Sequence, residues 1–128
     1  MKRNMLVAVL GVVLVSFVAQ PLFAQKVFLD EFKKIYPNVD PKLAKCTTCH
    51  SPQGADKPGK KNLNDYGKEI QGSAEAKPAM DKAKGYKYTA DDLKAVSAAI
   101  KAVGSKDSNG NGKTNDEDIK AGVNPGVK

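Results

Sequence analysis

Cys46-Thr47-Thr48-Cys49-His50 contains both cysteines and the only histidine of the chain, and the chemistry of these five residues decides what fold can surround them. A thiol–disulfide centre of the thioredoxin kind shares the C-x-x-C spacing but needs a β-α-β setting, which the flanking sequence does not offer. Zinc wants four ligands from Cys, His or carboxylate, and two cysteines beside one histidine leave a closed site short. A plain disulfide between Cys46 and Cys49 would close a small strained ring and leave His50 without a purpose. C-x-x-C-H in an exported chain is the signature of covalent haem attachment. The two thiols add to the two vinyl groups of the porphyrin, and the residues between them set the distance between those points. The histidine that follows comes under the ring and ligates iron. The expectation is a single haem c, held by Cys46 and Cys49, with His50 as the proximal iron ligand.

Export is read from the N-terminus. Met1-Lys2-Arg3-Asn4 is basic, Met5 to Val18 is apolar, and Ala24 offers a small residue before a cut. That order predicts a secretory signal peptide over residues 1–24, although Leu22 is bulkier than the site prefers. Gln20 and Pro21 interrupt the apolar run, whereas a membrane span wants about 18 unbroken apolar residues. No cysteine follows the cut, which excludes a lipid anchor on a new N-terminal cysteine. The expected location is periplasmic or otherwise exported, with no stable membrane span after cleavage.

The 128 residues, 41% hydrophobic and 27% charged, suit one small globular domain. Removing residues 1–24 leaves 104, with 19 basic and 14 acidic side chains and a formal charge of +5. The lysines are scattered and the aromatics few, so the basic stripe or module of a nucleic-acid reader is missing. A mildly cationic surface speaks of acidic partners and electrostatic steering.

Outward from the motif, the spacing predicts helices. Phe28, Phe32, Ile35 and Tyr36 share one face of a helix over Gln25 to Tyr36, leaving Asp30, Glu31, Lys33 and Lys34 to solvent. Pro37 ends it. A short helical piece over Pro41 to Lys45 leads into the cysteines. Residues 51–62, rich in Pro, Gly, Lys and Asn, read as a loop. A helical turn is expected from about Leu63 to Ile70, and residues 73–88 have little periodicity. Thr89 can cap a helix whose first turn carries Asp91 and Asp92, whose stripe is Leu93, Val96, Ile100 and Val103, and which Gly104 ends. No alternating apolar run is long enough for a strand. The fold class expected is all-α, with a haem domain over residues 25–104 and an appended polar element over 105–128.

The leading amphipathic helix, the Cys46-x-x-Cys49-His50 motif and the late helix from Asp91 to Val103 together resemble the small monohaem c-type cytochromes of class I. Leu63-Asn64-Asp65-Tyr66-Gly67 also resembles a segment that follows the haem motif in some short bacterial cytochromes, and reads equally as an ordinary helix start. The resemblance implies first and last helices that cross and pack on the haem edge. One departure stands out: the family's last helix often carries an aromatic in its central turns, and here that stretch is Val96-Ser97-Ala98-Ala99-Ile100.

What sits opposite His50 decides what the iron can do. With no second histidine, bis-histidine ligation within one chain is impossible. Met80 is the only methionine left after processing, on a loop between the motif and the last helix, where the family keeps its methionine ligand. It is the candidate distal ligand; its competing role is to fill a gap in a small core. An open position would turn a carrier into a gas binder or a weak peroxidase.

The tail carries a second motif. Asp107, Asn109 and Asn111 stand at positions 1, 3 and 5 of a calcium-loop pattern, with Gly112 at the turn position 6. Lys113 would offer its carbonyl at position 7, Asn115 stands at position 9, and Asp118 takes position 12, one methylene short of the usual Glu. The stretch resembles the calcium loops of EF-hands and thrombospondin type 3 repeats, including the trailing Gly122-Val123-Asn124-Pro125. Two asparagines in place of aspartates point to a weak extracellular site, on the order of 10⁻⁴ to 10⁻³ M. The alternative is a metal-free Asn-Gly turn.

No nucleophile–base pair, paired carboxylates or second metal cluster suggests an enzyme. The expected function is one-electron transfer, with redox partner proteins docking through acidic surfaces. A haem-based ligand-binding or sensing protein, or a weak peroxidase, is the alternative, and both need an open iron position.

Overall fold

Phe28, Phe32 and Ile35 line one side of the first helix, α1 (Phe23–Ile35), and the rest of the chain closes on that stripe. The computed structural model describes residues 23–52, 58–80 and 87–128. The leader expected over residues 1–24 lies outside them except for Phe23 and Ala24. The end of the aperiodic stretch 73–88, from 81 to 86, and the middle of the loop after His50 lie outside them too. Among the described residues no helix is long and apolar enough to cross a membrane.

The chain is mostly helical. After α1 come a 3-10 turn (Cys46–Thr48), strands β1 (His50–Pro52) and β2 (Pro58–Leu63), and helices α2 (Asp65–Gly72), α3 (Lys77–Met80), α4 (Ala90–Gly104) and α5 (Asn115–Lys120). α1 packs along α4, and α2 and α3 lie against α4 as well. The core joins Phe32, Tyr66, Ile70, Ala76, Ala79, Val96, Ala99, Ile100, Val103 and Ile119. Phe28 meets Tyr88 edge-on, with ring centroids 5.1 Å apart.

α4 forms as its sequence demands. The Thr89 side chain accepts from the Asp92 amide while the Asp92 carboxylate accepts from the Thr89 amide, a reciprocal cap that satisfies two otherwise orphaned donors. Val96, Ile100 and Val103 turn inward, and Leu93 is half-buried. Gly104 ends the helix for a different reason from the one expected. It is not in a left-handed conformation; a Cβ there would run into the carboxylate of Asp116, so the glycine lets the tail approach.

Four local expectations are corrected. Glu31, placed in solvent by the pattern, is buried at the α1–α4 crossing. There Ser97 Oγ donates to it at 2.6 Å and Lys34 pairs with it. Its carboxyl is held below the usual range, first by the bond from Lys34 and then by that from Ser97. The small residues of α4 that replace an aromatic make room for this polar contact. Second, residues 51–62 are not simply a loop: β1 and β2 pair antiparallel, His50 opposite Leu63 and Pro52 opposite Pro58, with an irregular register between. No alternation announced these strands because the backbone of a polar ribbon makes the pairing, not a buried face. Third, Pro41–Lys45 forms only turns, Leu43 and Ala44 donating back to the Asp40 carbonyl. Fourth, α2 starts at Asp65 and not Leu63, because Asn64 caps it by accepting from the Gly67 amide at 2.9 Å. The one-turn α3, unsignalled by periodicity, buries Ala79 beside α4, with Ala76 buried just ahead of it.

The polar tail is not a free appendage. Ile119 reaches the core, and the Tyr36 hydroxyl donates to Asp116 at 2.6 Å, joining the end of α1 to α5.

Candidate cofactor-attachment site and the polar loop beside it

The turn Cys46–Thr48 is too short to satisfy itself. Its own bonds are Thr48 N–H to the Lys45 carbonyl at 3.1 Å and Cys49 N–H to the Cys46 carbonyl at 3.3 Å. The carbonyls of Thr47, Thr48 and Cys49 are left over, and buried carbonyls need donors. They find them elsewhere. Asn64 Nδ2 donates to the Thr48 carbonyl at 2.8 Å, and the Asn64 amide donates to the Cys49 carbonyl at 3.0 Å. Asn124 Nδ2 donates to the Thr47 carbonyl at 3.0 Å. The Thr48 hydroxyl, itself buried, donates to the Leu43 carbonyl. Gly67 of α2 sits so close to the Cys49 carbonyl that no Cβ fits between them.

On this turn the two thiols are free, not joined. Burial pushes the Cys49 thiol up to about 12, with a further push from Cys46. The motif lies on a 3-10 turn that leads into a two-stranded ribbon, not in the β-α-β setting a thiol–disulfide centre of the thioredoxin kind needs, so the arrangement does not favour thiol–disulfide exchange. Nor does it favour zinc: among the described residues no three His, Cys, Asp or Glu side chains gather as a metal site.

The surroundings fit a large apolar group held through sulfur. Tyr66 is fully buried, and its hydroxyl makes no hydrogen bond of normal length among the described residues; the Tyr36 hydroxyl is the polar group nearest to serving it. Burial, with Tyr36 and Cys49 nearby, pushes its pKa far up, so it stays neutral. Cys49, Met80, Leu29, Val39 and Tyr88 are only partly covered where they pack on the core. Met80 closes α3, its amide bonded to the Ala76 carbonyl at 3.0 Å. Thus Met80 and Cys49 rest on one apolar cluster. His50 begins β1 and is half-buried.

The tail's polar loop is wound on its own backbone. Asp107 accepts from the amides of Gly110, Asn111 and Gly112. Gly110 and Gly112 have φ of 72° and 85°, which only glycine adopts without strain. Asn109 Nδ2 donates to the buried Asp118 carboxylate at 2.8 Å, and Asn111 Nδ2 does so at 2.9 Å. Asn109, Asn111 and Asp118 therefore meet through their side chains while Asp107 holds the loop backbone, and Lys113 donates its amide to Asn111 Oδ1. Asn115 does not join them. It is fully buried on the other side, donating to the Val103 carbonyl at 2.6 Å and accepting from the Ser108 amide.

Comparison with family models, with curated proteins and with solved structures returned no match. The residues missed from sequence alone are the ones acting on the turn from afar. Asn64, Tyr66 and Gly67 had a signal, the Leu63-to-Gly67 stretch. Asn124 had only its place in the trailing Gly-Val-Asn-Pro.

Proposed function

We propose that this chain is an exported monohaem c-type cytochrome that carries single electrons between redox partners. The observation that supports it best is the pair of free thiols and the adjoining His50, presented on a turn whose carbonyls are all tied down and packed on an apolar cluster. In attachment each S–H adds across one vinyl C=C: sulfur bonds to one carbon, the hydrogen goes to the other, and nothing is released. Bound haem supplies a one-electron ferric–ferrous couple. Cys46 and Cys49 would hold the porphyrin, His50 would ligate the iron, and the Met80 thioether would be its second protein ligand, favouring the ferrous state. The fold's other contribution is to exclude water and fix the loop. Scattered lysines speed encounter with acidic partner surfaces.

The optical spectrum of the purified protein tests this. A covalently bound haem with the weak far-red band of methionine-ligated ferric iron is expected, and it should vanish in Met80→Ala. Ready carbon monoxide binding by the ferrous protein, with no such band, would move the assignment to a ligand-binding protein or weak peroxidase.

The same proposal takes Asp107, Asn109, Asn111 and Asp118 as calcium ligands with the Lys113 carbonyl, and leaves Asn115 out. The asparagine amides would turn over to present oxygen. A site of the weak extracellular kind, in about 10 mM calcium, should raise stability by about 1.4 to 2.7 kcal/mol over chelator. Equal melting temperatures in calcium and chelator would leave the loop a metal-free turn.

A further inference from the structure

Asn64 and Asn124 approach the attachment turn from opposite ends of the sequence, and each is locked by a second bond. Asn64 Oδ1 accepts from the Gly67 amide at 2.9 Å, so its Nδ2 must face the Thr48 carbonyl. Asn124 Oδ1 accepts from the Gly126 amide at 2.9 Å, so its Nδ2 must face the Thr47 carbonyl. The strap carrying Asn124 is itself braced. Val123 N–H donates to the Asp118 carbonyl at 2.8 Å, and Asn109 Nδ2 reaches the Asn124 carbonyl at 3.3 Å. Pro125 is fully buried, and Gly126 lies so close to the Asn64 side chain that a Cβ would overlap it. The two asparagines and the glycine between them form one contiguous contact.

We propose that the C-terminal strap Val123–Gly126 is the outer jaw of a clamp on the attachment turn, with Asn124 as a positioning residue and Asn64 as the inner jaw. The peptide planes following Thr47 and Thr48 are the ones whose rotation would change the spacing of the two thiols and the direction of His50. The jaws grip the carbonyls of those two planes. The functional meaning rests on the haem assignment above; the clamp itself does not. The polar tail thereby becomes part of the cofactor site, and the wound loop 107–118 is the brace behind the jaw.

Asn124→Asp tests it. The variant keeps the shape and the acceptor for Gly126, but loses the donor and sets an oxygen against the Thr47 carbonyl. In native-state hydrogen exchange on the protein as purified, the Thr48 and Cys49 amides should exchange about fivefold faster or more, while Val96 and Ile100 of α4 stay unchanged. In the haem-bearing protein the midpoint potential should fall, because a slack turn admits water to the haem edge. Val127→Ala, on the exposed end of the tail, should move neither reading. Gly126→Ala, pushing on Asn64, should reproduce the faster exchange; Asn124→Ala does the same work should Asn124→Asp not accumulate. Unchanged exchange at Thr48 and Cys49, or an equal rise across α4, overturns the clamp. The intact mass separates the two levels: haem-bearing protein without local acceleration overturns the clamp alone, whereas local acceleration in a chain lacking haem supports the clamp and removes the haem assignment.

Discussion

Two loops dominate this molecule, and asparagine holds both of them in opposite ways. In the loop from Asp107 to Asp118 the polar side chains bond one another and their own backbone: Asp107 gathers three amides, and Asn109 and Asn111 meet on Asp118. In the turn Cys46–His50 the supporting donors come from elsewhere, Asn64 and the distant Asn124. A self-satisfied loop keeps its shape through short-range bonds and two left-handed glycines. A borrowed one is only as rigid as the elements that lend to it, and its shape is a tertiary property.

Breaking the lender should therefore have the largest effect. In Gly67→Ala the new methyl meets the Cys49 carbonyl, which is backbone and cannot swing away. Helix propensity alone would favour alanine here by up to about 1 kcal/mol. We expect the opposite sign, a loss of about 3 kcal/mol, read as a lower urea midpoint, with the cost concentrated at the attachment turn. A variant as stable as the parent would mean that α2 does not press on the turn.

Cutting the self-satisfied loop should cost less. Asp118→Ala removes the carboxylate that the amide groups of Asn109 and Asn111 share, leaving Asn109 only its longer bond to the Asn124 carbonyl, and Asn109 is only 5% exposed. A loss of about 2 kcal/mol is expected in the same measurement. The comparison sharpens if the amides of Gly110 to Gly112 are then freed before those of Thr48 and Cys49. Simultaneous loss at both sites would show the two loops to be one unit.

The contrast also explains what could be read in advance. The capped helix from Thr89 and the stripe of Val96, Ile100 and Val103 were legible, because each follows from neighbours within a few positions. The β1–β2 ribbon was not, since backbone pairing between polar segments leaves no apolar alternation. Glu31 looked like solvent because its partner, Ser97, lies 66 residues on. Asn115 matched the loop pattern by position, yet its side chain turned inward, donating to the Val103 carbonyl and accepting from the Ser108 amide. In each miss a long-range hydrogen bond overrode a local pattern.

The smallest effect tests the self-satisfied loop through pH. Glu117 accepts from the Thr114 amide at 2.8 Å and from the Thr114 hydroxyl at 2.9 Å, capping α5 as the loop ends. The first of these bonds, then the second, holds its carboxyl below the usual range. A lowered folded-state pKa means that the cap's contribution is present above the ordinary value of 4.5 and is lost as pH falls through the lowered one. Because Glu117 is exposed, solvent screens the effect and keeps it small. Between neutral pH and pH 3, wild type should lose slightly more melting temperature than Glu117→Gln, whose amide cannot be protonated in that range. The change should appear in the amides of α5 and leave those of Thr48 and Cys49 alone, since these donate to the Lys45 and Cys46 carbonyls, which do not titrate. Parallel acid limbs for the two proteins would show that this cap draws nothing from its charge, and that the loop is held by neutral bonds alone.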